Sequence, residues 1–297
     1  LWQIRRSLRR TRPNVLHFND PHALSSAGVA SLGLGIRARI AARRVDFPVQ
    51  FPARYRGLCD RVVCVSHQVA WVCRQSRIPT RFLRVVNDGV DPARVRSGDR
   101  PRGRRALGLS NEQLLLLTVA KLADHKGHRF LLRALSTVLP SRQDVCVALV
   151  GDGELFGVLK AEAKQLGIDT RVRFLGYRDD VPDLIQAADL FVFPSHKEGL
   201  GSTLIDAMLA GPAIVTTTAG GIPDLTASDD ADVEPIAWTV PPRDPEALAQ
   251  AILGALDSPD KRALYQQRAR QRAEQRFTAD RMIEATLCVY RELLDLR

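Results

Sequence analysis

Short apolar runs that alternate with amphipathic stretches along almost the whole chain constrain this fold more than any other feature. Residues 14–18, 37–41, 61–65 and 83–86 read as strands, as do 114–120, 145–150, 172–175, 190–194, 213–217 and 237–240. Helical periodicity fills most of the gaps, at 22–34, 68–77, 129–139, 154–166, 180–187, 202–210 and 245–256. Strands joined by helices must run parallel, because a parallel pair needs a long crossover that a helix supplies. The fold class is therefore α/β, with Rossmann-like parallel sheets covered on both faces. Ligands of such sheets sit at the carboxyl ends of the strands, so the loops after each apolar run are where chemistry is expected.

The alternation breaks once, at residues 88–110, which read DGVDPARVRSGDRPRGRRALGLS. Gly, Pro and Arg at that density are connector chemistry. With 297 residues, the chain has material for two domains. The division expected is a first domain at 1–90, a linker at 91–110 and a second domain at 111–277. Charge changes sign at the same place. Residues 1–105 hold 22 arginines, no lysine and six acidic residues, a balance of +16, whereas 106–297 balance to −6. A basic half favours an anionic partner, and a solvated arginine-rich surface accounts for it equally well. Aromatics are too sparse there for the interleaved stacking of single-strand binders, so an anionic membrane surface is the better partner and no nucleic acid is expected. No apolar run approaches the ~18 residues of a membrane-spanning helix. Five scattered cysteines (Cys59, Cys64, Cys73, Cys146, Cys288) include no CxxC pair. That spacing points to neither a metal site nor a disulfide framework, and suits a reducing cytoplasm.

Two segments carry the chemistry. In Glu198-Gly199-Leu200-Gly201-Ser202-Thr203-Leu204-Ile205-Asp206 a strand feeds a glycine-rich turn and then a helix. Gly199 and Gly201 permit unusual backbone angles and close approach of a ligand. The free amides at the helix start form an anion site. Asp206, four residues beyond Ser202, shares the face of the helix mouth. Two carboxylates then bracket an anion cradle, which suits a ligand with phosphate in its middle and hydroxyls at both ends. The second segment, Lys121-Leu122-Ala123-Asp124-His125-Lys126-Gly127, places two of the chain's six lysines after a strand, where an anion is expected.

These residues resemble retaining glycosyltransferases of family 4, the group 1 enzymes with GT-B architecture: two Rossmann-like domains facing a cleft. Glu198 through Asp206 is similar to the family's E-x7-E motif, with Asp in place of the second Glu. The resemblance implies that Glu198 orients the donor sugar, that Asp206 holds the ribose hydroxyls, and that Gly199, Leu200, Gly201, Ser202 and Thr203 line the donor. Lys121 and Lys126 stand where the family has Arg and then Lys-Gly, cations that stabilise the leaving diphosphate without a metal. Gly151-Asp152-Gly153 matches the family's G-x-G turn, and Gly176-Tyr177-Arg178 the loop that cradles the base. Gly220-Gly221-Ile222-Pro223-Asp224 matches another. The implied reaction moves a sugar from a nucleoside diphosphate sugar, by default a UDP-sugar, to a hydroxyl with retained configuration, and no further cofactor is required. A glycan or lipid-linked acceptor on the cytoplasmic face of a membrane fits the basic half, as in polysaccharide or lipopolysaccharide biosynthesis.

The first half carries weaker signals. Asp20 and Pro21 fit a helix cap with Pro at the first position. His22 reads either as cleft-facing and catalytic or as a structural histidine. Arg43 and Arg44 stand where relatives carry a cleft-lining His, and read as ligands of donor phosphate or of a charged acceptor, or as surface arginines. Ser66 reads as a helix cap. The family opens with an earlier strand and glycine-rich loop, so the first domain is expected to be incomplete, with 278–297 crossing back to it. That gap keeps a second reading open, a non-catalytic nucleotide-sugar-binding fragment or inactive partner.

Overall fold

The computed structural model describes residues 1–227 and 235–295, and these divide into two compact units. The first holds Leu1–Asp88 together with the C-terminal segment from Ala279, and the second holds Gly89–Thr278.

In the first unit α1 (Trp2–Thr11) leads to β1 (Val15–Phe18), α2 (Pro21–Ala30), β2 (Ala38–Arg43), α3 (Pro52–Leu58), β3 (Arg61–Cys64), α4 (His67–Gln75) and β4 (Leu83–Val85). The four strands pair in parallel in the order β1-β2-β3-β4. Local chemistry sets the helix starts. The Asp20 carboxylate accepts from the His22 and Ala23 amides with Pro21 at the first position, and the Ser66 hydroxyl accepts from the Val69 amide. Ala38, Ile40, Val63 and Val86 form a core with Val289 and Leu293 of the C-terminal helix. Helix α1 is the basic, amphipathic start of the chain, whereas α3 escapes the periodicity reading because at seven residues it is too short to show a repeat.

The second unit begins with α5 (Pro92–Arg96) and α6 (Arg100–Ala106) and continues through β5 (Leu114–Val119), α7 (His128–Val138), β6 (Val145–Val150), α8 (Phe156–Gln165), β7 (Val172–Gly176) and α9 (Val181–Ala187). Then come β8 (Leu190–Phe193), α10 (Ser202–Ala210), β9 (Ala213–Thr217), α11 (Ile222–Thr226), β10 (Trp238–Val240), α12 (Pro245–Leu256) and α13 (Pro259–Arg276), before α14 (Ala279–Asp295) joins the first unit. The sheet is parallel throughout, in the order β10-β9-β8-β5-β6-β7. That is the doubly wound order, and its direction of winding reverses between β5 and β8. Strands β6, β8 and β9 are buried along their whole length, which is why they read as unbroken apolar runs. Leu131, Leu132, Leu135 and Val138 give α7 one apolar stripe, which packs into the same core as Leu248 and Ile252 of α12.

The stretch whose composition reads as a linker is structured. Pro92 and Pro101 lie in first helical turns capped by Asp91 and Asp99, where proline costs nothing. A Cβ on Gly103 would lie 2.3 Å from the Asp183 carbonyl oxygen, and one on Gly98 2.4 Å from that of Pro182. These glycines let α6 and the preceding turn pack closely on α9 rather than confer flexibility. Among the described residues no helix is long and apolar enough to cross a membrane.

Candidate active site

The reversal point of the second sheet lies between β5 and β8, and the two loops leaving these strands touch backbone to backbone. Gly127 has φ +74°, and a Cβ there would stand 2.0 Å from the Pro194 carbonyl oxygen. The His196 amide donates to the His125 carbonyl at 2.9 Å. This contact brings Lys126, in the turn after β5, to Glu198, in the turn after β8. Lys126 Nζ donates to Glu198 Oε2 at 2.6 Å, with the two side chains 18% and 13% exposed. Lys126 Nζ also lies 5.5 Å from the centre of the Phe193 ring. The third loop of the site, after β9, holds Glu198 from behind. The Gly221 amide donates to the Glu198 carbonyl at 2.9 Å, and a Cβ on Gly220 (φ +55°) would meet that oxygen at 2.0 Å. The buried Ser195 hydroxyl lies 3.4 Å from Glu198 Oε2.

Helix α10 starts one turn later. Its N-cap is Gly201 at φ +101°, which has no side chain to accept from the first amides. The helix mouth therefore offers Ser202 and Thr203 amides without a capping oxygen, and the helix dipole adds to them. Gly199 and Leu200 are buried in the turn beneath. Asp206 is 14% exposed and pairs with Arg94 of α5 at 2.5 Å. Burial pushes the Asp206 carboxyl above its ordinary range, and the hydrogen bond from Arg94 opposes that. Arg94 gave no sign of this role in the sequence, because it lies within the stretch that reads as a connector.

Beside this pair, at the ends of β5, β6 and β7, opens a cleft of about 790 Å³. Lys121, Gly151, Gly153, Tyr177, Arg178 and Thr203 line it. Gly151 (φ +133°) and Gly153 (φ +159°) run against the Ala120 and Leu122 carbonyls at Cβ distances of 2.0 and 2.5 Å, so no other residue fits there. Tyr177 is 77% exposed at the rim. Arg178 is held by Asp180 through both guanidinium and carboxylate ends. Lys121 is 65% exposed and lies 3.5 Å from Glu154, a loose surface pair that leaves its ammonium accessible. The cleft, the helix mouth and the Lys126–Glu198 pair lie on adjoining loops: an apolar-walled slot, an anion cradle and a carboxylate beside a cation. Among the described residues no group of three or more His, Cys, Asp or Glu side chains could hold a metal ion.

Two other predicted residues, His22 and Arg43, belong to the first unit. They line a separate pocket of about 380 Å³ there. Arg43 is 7% exposed and donates from Nη2 to the Phe47 carbonyl, so it is not a surface arginine. Arg44 is the exposed one of the two and lies 3.5 Å from Asp88. His17, not singled out in the sequence, donates or accepts at Tyr290 Oη over 2.6 Å, and burial lowers its pKa.

The family description Glycosyl transferases group 1 matches residues 99–272, more than half of the chain. The chain belongs to the group 1 glycosyltransferases. A second description, Glycosyltransferase Family 4, matches residues 1–94. The D-inositol 3-phosphate glycosyltransferase 2 of Catenulispora acidiphila is 31% identical over 304 residues, covering 98% of this chain and 68% of that protein. A D-inositol 3-phosphate glycosyltransferase of Saccharomonospora viridis is 33% identical over 71% of this chain and 50% of its own. This family member thus spans about half to two thirds of the length of those curated relatives. Among solved structures, that of Anabaena HepE in complex with UDP superposes with a TM-score of 0.83 at 23% identity, over 99% of this chain and 81% of that one. The two Rossmann-like sheets have the GT-B architecture of that neighbour.

Proposed function

We propose that this chain transfers a sugar from a nucleoside diphosphate sugar to an acceptor hydroxyl with retention of configuration. The carrying observation is the Lys126–Glu198 pair at the reversal point of the sheet, beside an uncapped helix mouth and an open cleft. In this reading the base and ribose enter the cleft, with Tyr177 and Arg178 at the base and Asp206 accepting from the ribose hydroxyls. The α10 amides, Lys126 and Lys121 meet the diphosphate. Glu198 gives up its contact with Lys126 to accept from hydroxyls of the sugar. The acceptor oxygen then bonds to the anomeric carbon as the bond from that carbon to the diphosphate oxygen breaks. The hydroxyl proton passes to the departing phosphate oxygen on the same face, which retains configuration. The cations serve by stabilising charge that grows on the leaving diphosphate.

The neighbouring HepE structures hold UDP and UDP-glucose, which makes a uridine nucleotide the first donor to try. WaaG, another structure of this fold, is described as involved in lipopolysaccharide biosynthesis, and a role in cell-surface glycan assembly is proposed here too. The basic α1, with Trp2 71% exposed, suits peripheral contact with an anionic membrane on its cytoplasmic face. The test is thermal stability against UDP, GDP, ADP and their sugars, with Lys126→Ala and Glu198→Ala as controls. A nucleotide at ~100 times its dissociation constant adds about 2.7 kcal/mol. A shift with one nucleotide that disappears in Lys126→Ala is expected. No shift with any nucleotide in the folded chain would overturn the reading.

A further inference from the structure

His196 stands two residues before Glu198, and Asp124 two residues before Lys126, so each belongs to one of the loops that carry the ion pair. The His196 side chain is 3% exposed, and its ring makes a T-shaped contact with Phe130 of α7, centroids 5.8 Å apart. Both ring nitrogens are engaged. Nε2 lies 3.2 Å from Asp124 Oδ2, and Nδ1 lies 3.2 Å from Nη2 of Arg243, in the loop after β10. These partners leave the ring one state. A guanidinium has donors and no acceptor, so Nδ1 must carry the lone pair. The single ring proton is then on Nε2 and donates to the Asp124 carboxylate. One neutral imidazole thus clasps three loops, those after β5, β8 and β10.

Arg243 is held in this arrangement against its backbone preference. Its φ is +64°, in the left-handed region that favours glycine. A side chain persists there when the surrounding structure over-determines it, and such residues cluster where geometry serves function. Asp124 is 79% exposed, so its bond to the ring adds little stability. What the clasp adds is position. It supplements the bond from the His196 amide to the His125 carbonyl at 2.9 Å with side-chain contacts, and so fixes residues 124–126 against 196–198. A misplacement of about 1 Å among reacting groups costs on the order of 100-fold in rate.

We infer that neutral His196, its tautomer set by Arg243, is a positioning residue that holds Lys126 and Glu198 in register for the donor sugar and its adjoining phosphate. The inference rests on the transferase reading of that pair. Base and ribose meet Tyr177, Arg178 and Asp206 on other elements in that reading, so the clasp acts on the sugar end of the donor.

The experiment titrates the whole chain by calorimetry with UDP, GDP and ADP and with UDP-glucose, GDP-mannose and ADP-glucose. The variants are Arg243→Gly, His196→Leu and His196→Gln. Glycine takes the backbone at 243 without strain, so Arg243→Gly folds and removes the clasp without touching a core. Arg243→Gly and His196→Leu are expected to weaken binding of the nucleotide sugar about tenfold, the size of one charge-assisted hydrogen bond, and of the free nucleotide less than about twofold. The amide of His196→Gln can donate to Asp124 and accept from Arg243, so it should recover most of the loss. Equal loss for nucleotide and nucleotide sugar, or His196→Gln no better than His196→Leu, would overturn the inference. Nitrogen-15 spectra of the imidazoles, with the His196 signals identified by their loss in His196→Gln, give a readout that needs no ligand. A bare Nδ1 and a protonated Nε2 are expected, and a proton on Nδ1 refutes the tautomer and the inference with it. Nucleotide-sugar binding that Arg243→Gly leaves undiminished removes this inference and leaves the transferase. A wild type that binds none of the six ligands removes the transferase reading, and the positioning role with it, even where the spectra show the tautomer.

Discussion

Replacing Lys126 by Met should destabilise the second unit through the carboxylate it abandons. The pair is 2.6 Å apart, and each side chain is less than one-fifth exposed. Removing one partner of a fully buried pair costs about 3–5 kcal/mol, whereas exposed pairs contribute about 0–1 kcal/mol. At this exposure the cost is about 2–3 kcal/mol, between the two ranges and closer to the buried one. Met keeps an unbranched stem against the Phe193 ring, so little of the loss comes from packing. For a unit the size of Gly89–Thr278, about 2–4 °C per kcal/mol converts this to roughly 5–10 °C. Glu198→Gln should cost less, because the longer, flexible Lys126 side chain can turn its ammonium toward solvent. The double variant Lys126→Met/Glu198→Gln should be no less stable than Lys126→Met, giving a coupling of about 1–2 kcal/mol. Urea unfolding of the four proteins of this cycle is the assay. Additive single effects would show that the pair contributes nothing and that the two loops are held only by the Gly127 and His196 contacts.

Three further outcomes follow from the same geometry. His128 is buried with neither ring nitrogen hydrogen-bonded, and burial together with Lys126 lowers its pKa from 6.5 to about 4. The unfolded chain therefore binds the extra proton between these values. Stability is complete above about pH 6.5 and falls by about 3 kcal/mol toward pH 4. His128→Leu should flatten that part of the urea-midpoint profile while changing little at pH 7, and an unchanged acid slope would contradict the assignment. Arg94→Gln leaves the Asp206 carboxylate without its cation, so its pKa, already raised by burial, rises further. If Asp206 accepts from the ribose, UDP binding should weaken at a higher pH in Arg94→Gln than in wild type. Discrimination against 2′-deoxy-UDP should fall with it, and Arg94→Lys should restore part of both. Gly220→Ala forces a Cβ against the Glu198 carbonyl at a positive φ, which should cost about 2 kcal/mol or more and weaken UDP-sugar binding more than UDP binding. Equal loss for both ligands would mean that Glu198 does not face the sugar.

Much of this was legible because it is local. Parallel-sheet strands such as β6 and β8 announce themselves as unbroken apolar runs, and Asp20 and Ser66 cap helices through residues two or three positions away. The glycines at 151, 153 and 201 mark positive φ, a property of the residue itself. What escaped was long-range. Nothing near Lys126 says that its partner is Glu198, and nothing near Asp206 points to Arg94, because the reversal of the sheet and the packing of α5 on α10 make those meetings. Pro and Gly misled at 88–110 because each has two uses. Proline opens a helix as readily as it prevents one, and glycine admits a neighbouring backbone as readily as it loosens a turn.

The charge asymmetry is the subtler case. Arg94, Arg96, Arg100, Arg102 and Arg104 all count toward the basic excess of the first 105 residues, yet each pairs with a carboxylate later in the chain: Asp206, Glu274, Asp189, Asp183 and again Asp189. The change of sign near residue 105 is thus partly one domain's own ion pairs divided between its two ends in sequence. A sum over sequence cannot separate an arginine answered within its unit from one that is not. The distinction matters because only the second kind attracts an outside anion. With Arg44, Arg61 and Arg84, which pair with Asp88 and Glu292, eight arginines of the apparent patch are spoken for, while Arg43 and Arg54, too few to alter the sum, line a pocket with no acid among its lining residues. Raising the salt concentration should therefore weaken the chain's adsorption to anionic vesicles only shallowly, not with the steep dependence that a surface of +16 would give.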